Sequence, residues 1–233
     1  MQYRTKEEQV ADYLREGIIA GRFPRGARLK QVEIAKLLKT SITPVREALK
    51  LLAAEGYVMG DSYRGATVMP FDISASREML NLRILLETQL VRGAVERATA
   101  ADIEELRVLA RNFERAVAEQ KNEDARAANY RFHRRIHAIP NLPMTLHFVQ
   151  ILWARYPFDL INKVEGRVGR AVAEHTQIID AFAQSDVTAA VLATRRHVET
   201  GWQELERSMK SSPPGGSPAA ALEPQKSPEF LEN

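Results

Sequence analysis

Apolar residues recur along most of this chain at steps of three and four, and the rhythm stops at Gly, Pro or Ser/Thr clusters. From Thr5 to about Ala20, Val10, Leu14 and Ile18 fall on one stripe, with Tyr13 and Gly17 beside them, which predicts an amphipathic helix. The stretch "GRFPRGARL" ends it. A second, short helix is expected over "QVEIAKLLK", with Val32, Ile34, Ala35 and Leu38 inward. After "TSIT" a third begins, capped by Ser41 or Thr43, with Pro44 in its first turn where a missing N–H costs nothing. Its stripe reads Val45, Leu49, Leu52 and Ala53, and it ends near Gly56.

The next segment, "YVMGDSYRGATVMPF", switches to short alternating runs around Gly60, Asp61 and Gly65, which predicts a β-hairpin. Three helices and a hairpin make residues 1–70 a winged helix-turn-helix. Beyond Pro70 the helical rhythm runs to about Lys210, with helices expected near 74–99, 101–120, 123–138, 142–162, 165–184 and 187–209. Residues 71–210 are therefore expected to form an all-α six-helix bundle, and the chain to be mainly α. Residues 211–233, rich in Pro, Ser and Gly, have the composition of a disordered tail.

Composition removes several kinds of chemistry. Cysteine is absent, which excludes disulfides, thiolate nucleophiles and cysteine-based metal sites. No apolar run approaches the about 18 residues of a membrane span, and "MQYRTKEEQV" lacks a secretory apolar core, so a cytoplasmic protein without a membrane partner is expected. The net charge of +3 is uneven: residues 1–70 hold 12 Lys and Arg against 8 Asp and Glu, the remainder 21 against 22. A basic front end suits a polyanion partner, although solvated charge is the commoner reason for such an excess.

In a helix-turn-helix the second helix of the motif enters the major groove of DNA. The hydroxyls of Ser41 and Thr43, with the free N–H groups of that helix start, suit phosphate oxygens. Arg46 lies one turn in, where it can contact guanine, and Lys50, with Arg64 and Gly65 at the hairpin tip, can follow the backbone or the minor groove. The plainer alternative is a small α+β core with a charged surface.

The residues "GRFPRGARLKQVEIAKLLKTSITPVREALKLLAAEGYV" and "RGATV" resemble the winged-helix domain of the GntR family of bacterial transcription regulators, with "TPVREAL" the most specific part. The resemblance implies operator DNA as partner. It also exposes a departure: Ile42 stands where many relatives carry a base-reading Arg, and it offers at most contact with a thymine methyl.

All five histidines, His133, His137, His147, His175 and His197, fall in the helical region. His133, with Asn129 one turn earlier, His175 and His197 lie on inward stripes of three separate helices. Each alone reads as a core histidine; together they read as a metal site, since facing helices of a bundle assemble such sites and neutral imidazole suits zinc or nickel. "NYRFHRRIHAIPN", "AEHTQIIDAF" and "RRHV" resemble the FCD ligand-sensing domain of the FadR branch, in its shorter VanR-like form. That resemblance implies a divalent transition metal held by Asn129, His133, His175 and His197, with Asn129 where metal-binding members have Asp. It implies an organic acid effector, an effector-facing Arg at Arg83 of "NLRILLE", and a homodimeric repressor. Arg155 of "WARYPF" is a second candidate for clamping a carboxylate. Three histidines around zinc also suit a hydrolase or hydratase, which would need a general base beside the metal. Glu174 precedes His175, but adjacent helix positions point about 100° apart, so Glu174 is expected to face away.

Overall fold

The computed structural model describes residues 5–60, 65–71, 76–161 and 164–211. Helix α1 (Lys6–Ala20) opens with a capping box, Thr5 and Glu8 satisfying each other's backbone N–H groups, and closes at Gly21 in the left-handed conformation. Helix α2 (Gln31–Leu37) and helix α3 (Ile42–Ala54) follow. The stripe inside α3 is Val45, Ala48, Leu49 and Leu52, all fully buried; Ala53 is exposed, because a spacing of eight residues from Val45 carries it past the buried arc. Val32, expected inward on α2, is 67% exposed, and Ile34 and Ala35 close that helix onto the core.

The wing is a three-stranded sheet rather than a bare hairpin. Strands β2 (Val58–Met59) and β3 (Ala66–Val68) pair antiparallel as expected, and β1 (Arg28–Leu29) adds to the other edge of β3. Two residues after a Pro/Gly loop carry too little pattern to announce a strand. Gly65 has φ 98°, and a Cβ there would lie 2.9 Å from the Leu29 carbonyl oxygen, so this glycine lets β1 close against the wing.

The helical region contains α4 (Ser76–Arg97), α5 (Ala100–Ala118), α6 (Asn122–Ala138), α7 (Pro143–Arg155), a single turn α8 (Phe158–Ile161), α9 (Arg167–Ala183) and α10 (Val187–Ser211). The fold is thus mainly α, a winged helix-turn-helix followed by a bundle of six long helices. The helix expected over 142–162 breaks at Tyr156, whose extended backbone (ψ 136°) is what a following proline imposes. Arg64 and residues 212–233 lie outside the described residues.

The head is docked on the bundle through α1. One apolar cluster runs from Val10, Leu14, Leu49 and Leu52 into Leu90, Tyr130, Val149 and Trp153. Around it, Asp12 pairs with Arg134 at 2.8 Å, Glu16 with Arg131 at 2.5 Å and Arg22 with Glu123 at 2.8 Å. Arg126 of α6 donates to the Ala20 carbonyl at the end of α1. Arg25, in the loop after α1, donates to the Met69 carbonyl and, at 2.7 Å, to the Tyr156 carbonyl of the α7–α8 corner.

Truncating Leu49, with no exposed surface, removes a side chain at the centre of the head's core. Leu49→Ala is expected to cost about 2–5 kcal/mol, read as a fall in the urea unfolding midpoint.

Candidate functional site

Ser41 is the N-cap of α3, exposed and making no side-chain cap hydrogen bond. Ile42, Thr43 and Lys50 are exposed on the same helix, and Arg46 is half-buried. Two of these cations lean on one carboxylate: Glu47 lies 3.0 Å from Lys50 and 3.6 Å from Arg46. Lys50, then Arg46, hold Glu47 below the usual carboxylate range. The α3 N-terminus therefore offers unpartnered backbone N–H groups beside hydroxyls and cations, the surface that a phosphodiester needs.

Inside the bundle, His133 (α6), His175 (α9) and His197 (α10) converge, one nitrogen from each lying within 4.8 Å of the others. The Nε2 atoms of His133 and His175 are 3.2 Å apart. Two nitrogens bound to one ion at about 2.0–2.1 Å in tetrahedral geometry are about 3.3–3.4 Å apart, so this pair is near the spacing of shared coordination. Burial pushes the pKa of all three rings down, and neighbouring positive charge adds to it, His197 and His175 acting on His133, and Arg167 on His175 and His197. Neutral rings carry the lone pair that a metal requires.

Asn129 lies beside the cluster. Its Oδ1 is buried without a hydrogen-bond partner and the residue lines both small cavities at the cluster. An orphaned amide oxygen beside three neutral imidazoles fits a divalent transition ion, because an unmet buried acceptor otherwise costs about 1–3 kcal/mol.

Glu174 does not face away. Its Oε2 is 2.6 Å from Nδ1 of His197, because the α9 flank that carries it points at α10 rather than into the cluster. Burial pushes the Glu174 carboxyl up, but hydrogen bonds from His197 and Arg167 outweigh it and hold the group below its ordinary range. It is a fixed carboxylate behind a histidine and not a free base beside an ion.

The two arginines part company. Arg83 is buried and lines the cavities; its Nε donates to Glu87 at 2.7 Å and its guanidinium lies 3.7 Å over the Tyr156 ring. Arg155 is exposed at the end of α7, with Nε 3.5 Å from where a Cβ on Gly56 would sit, and it does not line either cavity. The second pocket guanidinium is instead Arg167, which sequence reasoning missed. It is 3% exposed and donates to both Glu174 oxygens, at 2.9 and 2.7 Å. A signal was available, for Arg167 precedes Ala171, His175 and Ile178 at steps of four, four and three.

His137, one turn after His133, is buried, and burial pushes its pKa down to about 4 against the opposing pull of Glu87. His147 is exposed on α7. Neither belongs to the three-ring cluster.

The cavity between Arg83, Asn129, Arg167 and His197 measures about 40 Å³, and its neighbour, lined by Ile19 of α1 together with Asn129 and His133, about 20 Å³. Given about 10–15 Å³ for each water held, these admit a few waters and not yet a multi-carbon acid.

Residues 6–68 match the family described as bacterial regulatory proteins, gntR family, and residues 78–200 match the FCD domain. The chain is 30% identical over 165 residues to the HTH-type transcriptional regulator McbR of Escherichia coli K12, covering 68% of this chain and 75% of that one. It is 28% identical over 222 residues to the Uxu operon transcriptional regulator of the same organism, covering 85% and 86%. The gluconate operon transcriptional repressor of Bacillus subtilis 168 is 33% identical over 150 residues, 62% of this chain and 58% of that one. Among solved structures, E. coli McbR/YncC superposes with TM-score 0.76 at 25% identity, over 89% of this chain and all of that one.

Two substitutions probe the two sites. Arg46→Ala is expected to weaken operator binding by about 1–3 kcal/mol and relax preference at one base pair, read by fluorescence anisotropy on duplexes substituted base by base. His175→Ala is expected to abolish metal retention through gel filtration, read by elemental analysis, with the helical circular dichroism unchanged.

Proposed function

Because the chain belongs to the GntR family of bacterial transcription regulators, with an FCD domain behind its DNA-binding head, we propose that it is a homodimeric repressor released by a small organic acid bound at the histidine cluster. It is a transcription regulator and not an enzyme, as its relatives are. In keeping with that, the acidic side chain at the histidine cluster, Glu174, is tied to His197 and Arg167 and so is not poised to take a proton from a substrate.

The observation that carries the effector role is that the head itself lines the pocket: Ile19 of α1 shares a cavity with Asn129, His133 and His197. Asn129, His133, His175 and His197 would hold the ion, which, when bound, supplies a cationic face for a carboxylate. Arg83 and Arg167 add guanidinium groups to that wall. Since the cavity is too small for an acid of several carbons, binding requires it to widen. The wall with least helical support is the corner at Tyr156 and Phe158, which breaks the α7–α8 run and covers Arg83.

That corner also holds the head. Arg25 bridges the Met69 carbonyl at the end of the wing and the Tyr156 carbonyl, so displacing Tyr156 releases one of the anchors of the reading head. The effector then prefers the widened arrangement and DNA the closed one, which is the differential binding that allosteric control requires.

A second copy fits the exposed apolar residues Leu82 and Leu85 of α4 and Met144 and Phe148 of α7, two helices that pack against each other. Covering them would pair two heads for a palindromic operator.

Arg25→Ala is expected to lower operator affinity toward the effector-bound value and so to shrink the further change in operator Kd caused by whichever carboxylic acid stabilises the protein most in a thermal-shift screen. An undiminished response would remove the Tyr156 corner from the coupling route. Leu85→Glu is expected to convert a dimer into a monomer in sedimentation velocity.

A further inference from the structure

Of the three rings in the histidine cluster, His197 is, among the described residues, the one that contacts a carboxylate. Nδ1 of His197 lies 2.6 Å from Oε2 of Glu174, and no such partner meets His133 or His175; Nδ1 of His175 is buried with no hydrogen bond at all. Glu174 is the nearer of two partners of this nitrogen, Nη2 of Arg167 lying 3.3 Å away, and a neutral imidazole whose Nδ1–H donates to the carboxylate has its lone pair on Nε2.

Glu174 is itself held in place. Arg167 donates to both of its oxygens, through Nη1 at 2.9 Å and Nη2 at 2.7 Å, and the same Nη2 lies 3.4 Å from the His197 carbonyl oxygen. The other side of Arg167 faces Glu204, with Nε 3.6 Å from Oε2, and exposed Arg170 donates to Oε1 of Glu204 at 2.8 Å. Half-buried Glu174 together with buried Arg167 and Glu204 sums to one negative charge behind His197, with exposed Arg170 meeting Glu204 from the solvent side, while Arg83 and Glu87, on the other side of the cavity, sum to zero.

The inner donors carry no charge. His133, His175 and His197 are neutral rings and Asn129 is an amide, so an ion among them keeps its full 2+ unless charge is supplied from behind.

We propose that Glu174 is the positioning carboxylate of this centre: by accepting the Nδ1–H of His197 it turns Nε2 toward the ion, and it supplies from behind the ring the negative charge that Asn129 does not. This rests on the metal reading of the cluster. Arg167 acts through Glu174, holding both oxygens so that the carboxylate cannot swing into the cavity and occupy the position an anionic effector needs. The arrangement separates two demands that a ligating aspartate would merge: the ion is retained by a charge on the far side of His197, while the face toward the cavity stays positive.

The test uses the full-length protein, stripped with chelator and titrated with Zn²⁺ against a chromophoric competitor. Removing a carboxylate that orients a ligating histidine typically lowers metal affinity about 10–100-fold, and Glu174→Gln is expected to fall in that range. Glu174→Asp keeps a charged partner for Arg167 but withdraws from His197, and its loss is expected to be smaller than that of Glu174→Gln. Asn129→Asp is expected to raise affinity more in the Glu174→Gln background than in the wild-type protein, because there it replaces a charge that is missing. In the Co²⁺ form, the exchange-protected, paramagnetically shifted Nδ1–H proton of His197 is expected to move in Glu174→Gln, a signature that loss of packing around Arg167 would not produce.

Wild-type protein that takes up no metal would overturn the metal reading and this role together. Wild-type protein that loads, with Glu174→Gln of equal affinity or Asn129→Asp equally effective in both backgrounds, would overturn the role of Glu174 alone. Should Glu174→Gln not fold, Glu174→Asp decides: affinity and proton signature both unchanged would overturn the proposal.

Discussion

Helix α1 is required to be apolar on two sides at once, and the docking of the head on the bundle depends on that requirement. Val10, Leu14 and Ile18 close the head's core against α3, while Ile19 reaches the cavity in the bundle. Between these sides the polar positions are not left to solvent: Asp12 and Glu16 meet Arg134 and Arg131 of α6. Surface ion pairs of this kind contribute little singly, about 0–1 kcal/mol each, so the shared apolar cluster supplies the adhesion and the charges set the register.

The centre of the bundle obeys a complementary constraint. Burying charge is tolerable when every charge has a partner, and the described buried charges are met: Arg83 and Trp153 both donate to Glu87, and Arg167 spans Glu174 and Glu204. Against that background the orphans stand out. At the cluster these are Oδ1 of Asn129 and Nδ1 of His175, while the Nε2 atoms of His133 and His175 face each other at 3.2 Å; elsewhere Tyr57, His137 and Thr194 also keep a buried polar atom without a hydrogen bond.

Much of this was legible in the chain itself. Long helices announced themselves through their apolar period, and three histidines on three such stripes converged as their phase required. What escaped had short-range or cross-element causes. Strand β1 is two residues long and gains its identity from Gly65 and β3, about 40 residues away in sequence. Arg155 follows two buried residues yet ends its helix at the surface, where phase no longer predicts depth. Glu174 was assigned by its angle relative to His175 on one helix, whereas its partner belongs to another. The period of a single helix describes what faces inward and says nothing of which neighbour stands at the flank.

The guanidinium of Arg126 donates to the Ala20 carbonyl, one of the terminal acceptors that α1 cannot satisfy within itself. The bundle therefore finishes the head's first helix, much as a cap residue would. A head that lifts away gives up this bond, and its last turn then frays at lower cost. Undocking and softening of α1 would consequently be one thermodynamic event, and an undocked head would have a broader set of orientations to lose on meeting DNA.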